Sequence, residues 1–210
     1  RRFELDAVAS ARRAFVCQAG DRERFPEPRP DVVPNCVDVP ASAPRDAIQP
    51  TLLFVGNLKS GAGSPNVDAI EWMADEVWPR IRATTDATCS VVGGISDDLA
   101  ARLERIDGID VLGFVDDLAA CYATAAVAIA PIRYGTGTRI KVLEAMAHAC
   151  PVIGTTIGCE GIEARPGRDL LIADEAADFA EACLELLTDP DRRSSVGSAG
   201  RELVQRLYDL

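Results

Sequence analysis

From about residue 50 to the end, short apolar runs alternate with stretches whose apolar residues recur at helical spacing. Thr51-Leu52-Leu53-Phe54-Val55-Gly56 is a strand-like run closed by glycine. Asn66 to Arg82 then carries Val67, Ile70, Met73, Ala74, Val77, Trp78 and Ile81, the i, i+3, i+4, i+7 pattern of an amphipathic helix. The alternation continues, with strands over 89–94, 109–113, 127–132, 151–155 and 170–172. Helices are predicted over 96–106, 116–124, 137–149, 176–188 and 190–207, with Ser96 as a cap and Asp97 and Asp98 in the first turn behind it. Such an order builds βαβ units, and these make a parallel sheet with helices on both faces. Val127–Ile132 is apolar throughout, as a strand covered on both sides requires. The expected fold class is α/β, a doubly wound parallel sheet. Ligands of such sheets bind at the carboxyl ends of the strands, near the point where strand order reverses.

Residues 1–50 differ. Arg1 to Arg13 reads as helix and Ala14-Phe15-Val16-Cys17 as a short strand, followed by another helix and Asp31-Val32-Val33-Pro34. Val39 to Pro50 is rich in Ala, Pro and Ser without periodicity, and reads as a linker. The expected organisation is the tail of a preceding domain over 1–38, a linker over 39–50, the main domain over 51–189 and a C-terminal helix over 190–210. The chain starts at Arg1 and reads as a piece of a longer protein.

A hydrophobic share of 48% is ample for a packed core. No run reaches the ~18 consecutive apolar residues of a membrane span. Thirty-three acidic against 22 basic residues leave a net charge of −11, which argues against nucleic acid or an anionic bilayer as partner. A small anion in a local basic pocket stays open. The seven cysteines form no CxxC pair and sit mostly among small apolar residues, so neither a disulfide framework nor zinc is expected, and the compartment is a reducing one. His148 is the only histidine, too few for a multi-histidine metal site. It sits where it would complement a helix C-terminus.

The stretch richest in chemistry is Pro131-Ile132-Arg133-Tyr134-Gly135-Thr136-Gly137-Thr138-Arg139-Ile140-Lys141. A strand runs into a glycine-rich turn that opens a helix. Free N–H groups and the dipole at a helix start suit an anion. Thr136 and Thr138 add hydroxyls, and Arg133, Arg139 and Lys141 add positive charge to an acidic chain. A phosphate or pyrophosphate is what such a turn holds; the plainer reading is a capped strand–helix turn with surface cations. It is neither a Walker loop nor a GxGxxG fingerprint. Further along, Glu144 can accept hydrogen bonds from a diol such as ribose, or be a surface glutamate. Three other loops follow strands: Gly56 to Asn66 with the cation Lys59, Gly113-Phe114-Val115 whose backbone can read a base edge, and Gly158 to Glu163 with two carboxylates.

Several motifs in order make the chain resemble the C-terminal, donor-binding half of a GT-B-fold glycosyltransferase of the family 4, group 1 type. They are Val33-Pro34-Asn35-Cys36-Val37-Asp38, Leu53-Phe54-Val55-Gly56, Pro65-Asn66-Val67-Asp68-Ala69, Leu112 to Leu118, Glu144-Ala145-Met146-Ala147 with Pro151-Val152-Ile153, and Gly158-Cys159-Glu160-Gly161. The resemblance implies a Rossmann-like donor domain and transfer of a sugar from a nucleoside-diphosphate sugar with retention of configuration. The acceptor would be a glycan or lipid-linked glycan in exopolysaccharide or cell-envelope synthesis. Gly135, Thr136, Gly137, Thr138, Arg139 and Lys141, with Lys59, would hold the donor phosphates. Glu144 would hold the ribose, and Gly113, Phe114 and Val115 the base. Neither metal nor cofactor is implied, because basic residues and the helix dipole stabilise the leaving diphosphate.

The family's E-x7-E motif is altered, with Thr136 at the position of its first glutamate; Glu160 is a substitute candidate for that catalytic contact. A cytoplasmic enzyme is implied, whose membrane contact, if any, would be peripheral and lie in an N-terminal domain. The fragment alone is expected to bind donor without transferring it efficiently. Two alternatives stand beside transfer: a nucleotide-sugar 2-epimerase of the same fold, and a non-catalytic nucleotide or sugar binder.

Overall fold

The computed structural model describes residues 2–27, 29–45, 48–61, 63–135 and 139–210. An amino-terminal arm holds helix α1 (Arg2–Ser10), strand β1 (Phe15–Val16), helix α2 (Ala19–Arg22) and strand β2 (Asp31–Val32). β1 and β2 pair in parallel as a small sheet of their own. The chain then builds a six-stranded sheet from β3 (Gln49–Val55), β4 (Thr88–Val92), β5 (Ile109–Gly113), β6 (Ala125–Ala130), β7 (Val152–Gly154) and β8 (Leu171–Ile172). The order is β5-β4-β3-β6-β7-β8 and every pairing is parallel. The chain steps outward from β3 through β4 to β5, then crosses back to lay β6 on the other side of β3. Strand order therefore reverses between β3 and β6. The expected doubly wound sheet is present, and its first strand takes in Gln49 and Pro50, two residues read as linker from sequence.

Alternate residues of each strand serve two cores. Leu52 and Phe54 face one layer, made by α3 (Pro65–Trp72) and its continuation α4 (Trp78–Arg82), α5 (Asp97–Leu103) and, further along the chain, a helix over 176–188. Trp72 meets Phe179 of that helix edge to face at 5.5 Å. Leu53 faces the opposite layer, made by α6 (Leu118–Thr124), α7 (Ile140–Ala147) and the last helix. Helix α8 (Ala176–Thr188) is the one against Leu52 and Phe54, and α9 (Pro190–Leu207) closes the other layer. Leu52, Ile70, Met73, Leu103, Leu143 and Phe179 are fully enclosed.

Three local features depart from the sequence reading. The helix expected over 66–82 widens into a π-helical turn over Met73–Val77. Pro79, just beyond it, has no N–H to donate, and its ring crowds the carbonyl one turn back; the wider turn takes up that misfit. Ser96 holds the N-cap position of α5, but its hydroxyl accepts no capping bond. The stretch read as a linker is tied down at two places. Arg45 donates to the carbonyls of Tyr122 at 2.5 Å, Ala125 at 2.6 Å and Ala126 at 3.3 Å, and Arg201 donates to those of Ala147 and Pro40. No helix among the described residues is long and apolar enough to cross a membrane.

Candidate functional site

The strand-order reversal opens a crevice at the carboxyl ends of β3 and β6, and a cavity of about 470 Å³ occupies it. Its floor is Leu53, Phe54, Ala128 and Ile129; its walls are the loops after β3, β4 and β5 and the first turn of α7. Among the described residues its charged lining is Arg139 and Lys141, both cations, in a chain of net charge −11.

The loops of this rim are fixed by close backbone approach. Gly56 N–H donates to Val92 O at 2.9 Å, Leu58 N–H to Gly94 O at 2.6 Å, and Gly93 N–H to Gly113 O at 2.7 Å. Gly93 has φ +125°, and a β-carbon there would run into the Gly56 carbonyl, so only glycine serves. On the other side, Thr155 Oγ1 donates to the Ile132 carbonyl and accepts from Gly158 N–H at 2.8 Å. Gly158 packs so close to Ala130 O that a β-carbon has no room. Thr156 is held by both oxygens of Asp174 at 2.7 Å.

Arg139 stands at the N-cap position of α7. Its Nε donates to Ile157 O at 3.4 Å, while one terminal guanidinium nitrogen is buried with no hydrogen-bond partner among the described residues. Burial pulls this guanidinium below its ordinary pKa, and the nearby Glu160 and Cys159 oppose the shift. It stays charged at neutral pH. A buried donor without an acceptor costs about 1–3 kcal/mol, so an acceptor brought to this nitrogen would be stabilising. Lys141, half-exposed, donates to Glu144 at 2.8 and 3.2 Å.

Glu144 itself lines a second hollow, of about 380 Å³, next to the first. Leu118, Tyr122 and Ile140 border both hollows. The Tyr122 hydroxyl lies 3.5 Å from Glu144 Oε2 and 3.3 Å from Lys141 O. His148, also lining this hollow, stacks on Tyr122 at 5.5 Å. Burial first and Arg201 second push its pKa down, so it is neutral and does not lend the expected charge to the helix end.

The structure thus brings Arg139, Lys141, Phe114 and Val115 to one cavity and Glu144 to its neighbour. Phe114 is 81% exposed. Gly135 has φ +103° and Gly113 closes β5 just behind Phe114; neither lines the cavity. Lys59 is exposed, with its stem against Gly94, and Glu160 is exposed near Arg139; neither lines the cavity. Thr136, Gly137 and Thr138 lie outside the described residues. Arg133, read from sequence as part of the cationic turn, is engaged elsewhere. It grips both oxygens of Asp68 at 2.9 and 2.6 Å and lies over Trp72 at 5.5 Å. Tyr122, Asn57, Asn66 and Thr155 were not singled out by sequence. Asn66 Nδ2 donates to Asn57 O at 3.1 Å across the mouth of the cavity. A polar residue placed just after a strand was the available signal for Asn57 and Thr155.

Comparison with known proteins gives the same architecture. Staphylococcus aureus TarM, solved with fondaparinux, alpha-GlcNAc-glycerol and UDP, superposes with a TM-score of 0.83 at 15% identity, over 99% of this chain and 43% of TarM. Anabaena HepE, solved with UDP and glucose, gives 0.79 at 14% identity, over 99% of this chain and 62% of HepE. The C-terminal domain of the group 1 glycosyl transferase LpcC from Francisella tularensis gives 0.67 at 16% identity, over 83% of this chain and 99% of that domain. At such identities the likeness is one of fold. A curated relative, an uncharacterized 44.6 kDa protein in the cps region of Klebsiella pneumoniae, is 28% identical over 167 residues. They make up 75% of this chain and 42% of the relative, so the chain spans well under half of that protein's length. The sequence model of the glycosyl transferases group 1 matches residues 49–189, from the first residue of β3 to the residue after α8, and the chain belongs to that family.

Proposed function

We propose that the chain is the nucleotide-sugar-binding part of a glycosyltransferase, which passes a sugar from a nucleoside-diphosphate donor to an acceptor. The observation that carries this reading is the cavity between β3 and β6, whose charged lining among the described residues is Arg139 and Lys141, with one Arg139 nitrogen buried and without a partner among them. A diphosphate supplies the acceptor oxygens that this nitrogen lacks. It also lies at the N-terminus of α7, where backbone N–H groups favour anions. Glu144, in the adjoining hollow, takes the ribose hydroxyls, and Phe114 and Val115 face the base.

During transfer, negative charge grows on the departing diphosphate. Arg139 and Lys141 stabilise it electrostatically, in a cavity whose remaining lining is largely apolar and so strengthens their field. The phosphate-binding set also includes Gly135, Thr136, Gly137, Thr138 and Lys59, and Glu160 is the candidate for the sugar contact left open by Thr136. We read the transfer as retaining and its product as a polysaccharide or cell-envelope glycan; the cps-region relative supports the second point. We place the protein in the cytoplasm, on the strength of its seven cysteines, which are free.

Calorimetric titration with UDP, GDP and ADP and with the matching nucleosides tests the reading. One diphosphate is expected to bind saturably, and its nucleoside far more weakly. Absence of binding by this chain and by the longer protein refutes it. Donor hydrolysis by the longer protein separates a transferase from a pure binder, which gives none. A new nucleotide sugar formed without acceptor marks an epimerase.

A further inference from the structure

Three groups meet at the wall between the two hollows. Tyr122, on α6, is 2% exposed, and its ring is clamped against His148. Its hydroxyl lies 3.3 Å from Lys141 O and 3.5 Å from Glu144 Oε2, and its one proton is shared between the two acceptors. Lys141 also reaches the carboxylate, at 2.8 Å, but from a half-exposed stem with four rotatable bonds. Of the two partners of Glu144, only Tyr122 has its rotamer locked by packing. Burial and the facing carboxylate both raise the pKa of the phenol, so it keeps its proton and serves as a donor. At 3.5 Å the bond is longer than the usual ~2.8 Å of a hydroxyl donor, so the carboxylate retains accepting capacity for a second donor entering from the hollow.

We propose that Tyr122 is a positioning residue, which holds the Glu144 carboxylate at the angle a ribose diol requires and so makes the site select ribose over 2′-deoxyribose. The inference rests on the reading of Glu144 as the ribose acceptor. Tyr122 touches no part of the nucleotide in this account; it acts through the glutamate.

The test titrates the chain with UDP, GDP and ADP and with their 2′-deoxy forms, and then repeats the best-bound pair with Y122F. The wild type is expected to prefer the ribose form by about tenfold or more, the worth of one hydrogen bond to a carboxylate. In Y122F that preference is expected to shrink to about threefold or less, while the ratio of diphosphate to nucleoside affinity stays unchanged, as expected when only the carboxylate's orientation is lost. 4-Aminophenylalanine at position 122, which restores a donor, is expected to restore the preference. Should Y122F lack a cooperative unfolding transition, 4-fluorophenylalanine at position 122 replaces it, keeping the hydroxyl's bulk without its proton. A wild type that binds both sugars alike overturns the ribose reading of Glu144 and this inference with it; absence of diphosphate binding by this chain and by the longer protein overturns the proposed function, and this inference falls with it. A wild type that discriminates, with an equal preference in Y122F, overturns the role of Tyr122 alone.

Discussion

Arg139→Met should make the empty protein no less stable while crippling its hold on diphosphate. Methionine keeps the length of the stem and fills the space with an apolar chain. In the native protein, one guanidinium nitrogen is buried without a partner among the described residues, and the bond from Nε to Ile157 O is long at 3.4 Å. Removing the orphaned donor relieves about 1–3 kcal/mol, and losing the long bond forfeits about 0.5 kcal/mol. The variant should therefore gain about 0.5–2.5 kcal/mol in urea unfolding without ligand. A charge-assisted hydrogen bond to phosphate is worth about 1.5–3 kcal/mol. Diphosphate Kd should then rise roughly 10–150-fold, and nucleoside Kd by less than about twofold. Calorimetry for affinity and urea unfolding for stability read the two halves separately. Equal losses for diphosphate and nucleoside would refute the phosphate assignment. A variant less stable by more than about 1 kcal/mol would show that the guanidinium is part of the packing instead.

Other outcomes follow from the same geometry. Gly158→Ala forces a β-carbon onto the Ala130 carbonyl and should cost about 2 kcal/mol or more; an unchanged urea midpoint would contradict that close approach. His148 has its pKa held below the ordinary value, so on acidification the unfolded chain takes up the proton first. Stability should be full above about pH 6.5 and fall as the pH drops through the folded-state value, and H148Q should flatten that fall. Urea midpoints at two pH values check it, and equal slopes for both proteins would speak against it. Thiol labelling of the native protein should modify Cys17 first, then Cys36 and Cys121 slowly. Cys89, Cys150, Cys159 and Cys183 should react only on unfolding, because burial hides them and raises their pKa, to about 12 for Cys89 and Cys159.

The sheet was readable because a strand covered on both faces needs a continuous apolar run, although the strand expected over 127–132 lies two residues earlier, at Ala125–Ala130. The helices were readable because their buried faces impose a 3.6-residue spacing, as from Val67 to Ile81. That spacing does not register one widened turn, so the π-helical segment at Met73–Val77 went unseen, although Pro79 marked the place. Within the site, Arg139 and Lys141 could be found because a glycine-rich turn opening a helix carries its own chemistry. For Glu144 the sequence leaves a diol acceptor and a surface glutamate both open, and the resemblance favours the first. The pairing of Arg133 was not legible because its partner, Asp68, lies on a helix that only the crossover from β5 to β6 brings near. Tyr122 was silent for the same reason: nothing in its own short helix foretells that Lys141 and Glu144 will stand opposite its hydroxyl.

The position of β6 between β3 and β7 also has a consequence during synthesis. The half-sheet β5-β4-β3 can assemble from residues 49–113, but its β3 edge, at Leu52, Leu53 and Phe54, then lacks its partners Val127, Ala128 and Ile129. An apolar edge of this kind is an invitation to pair with another chain. Lys59 is made early, but the two cations that line the cavity lie later still, at 139 and 141. A ligand therefore cannot protect the nascent protein through this interval, since its binding surface emerges only after the edge has been closed from within. Nucleotide added during translation or refolding should raise the stability of finished molecules and leave the early losses to aggregation untouched.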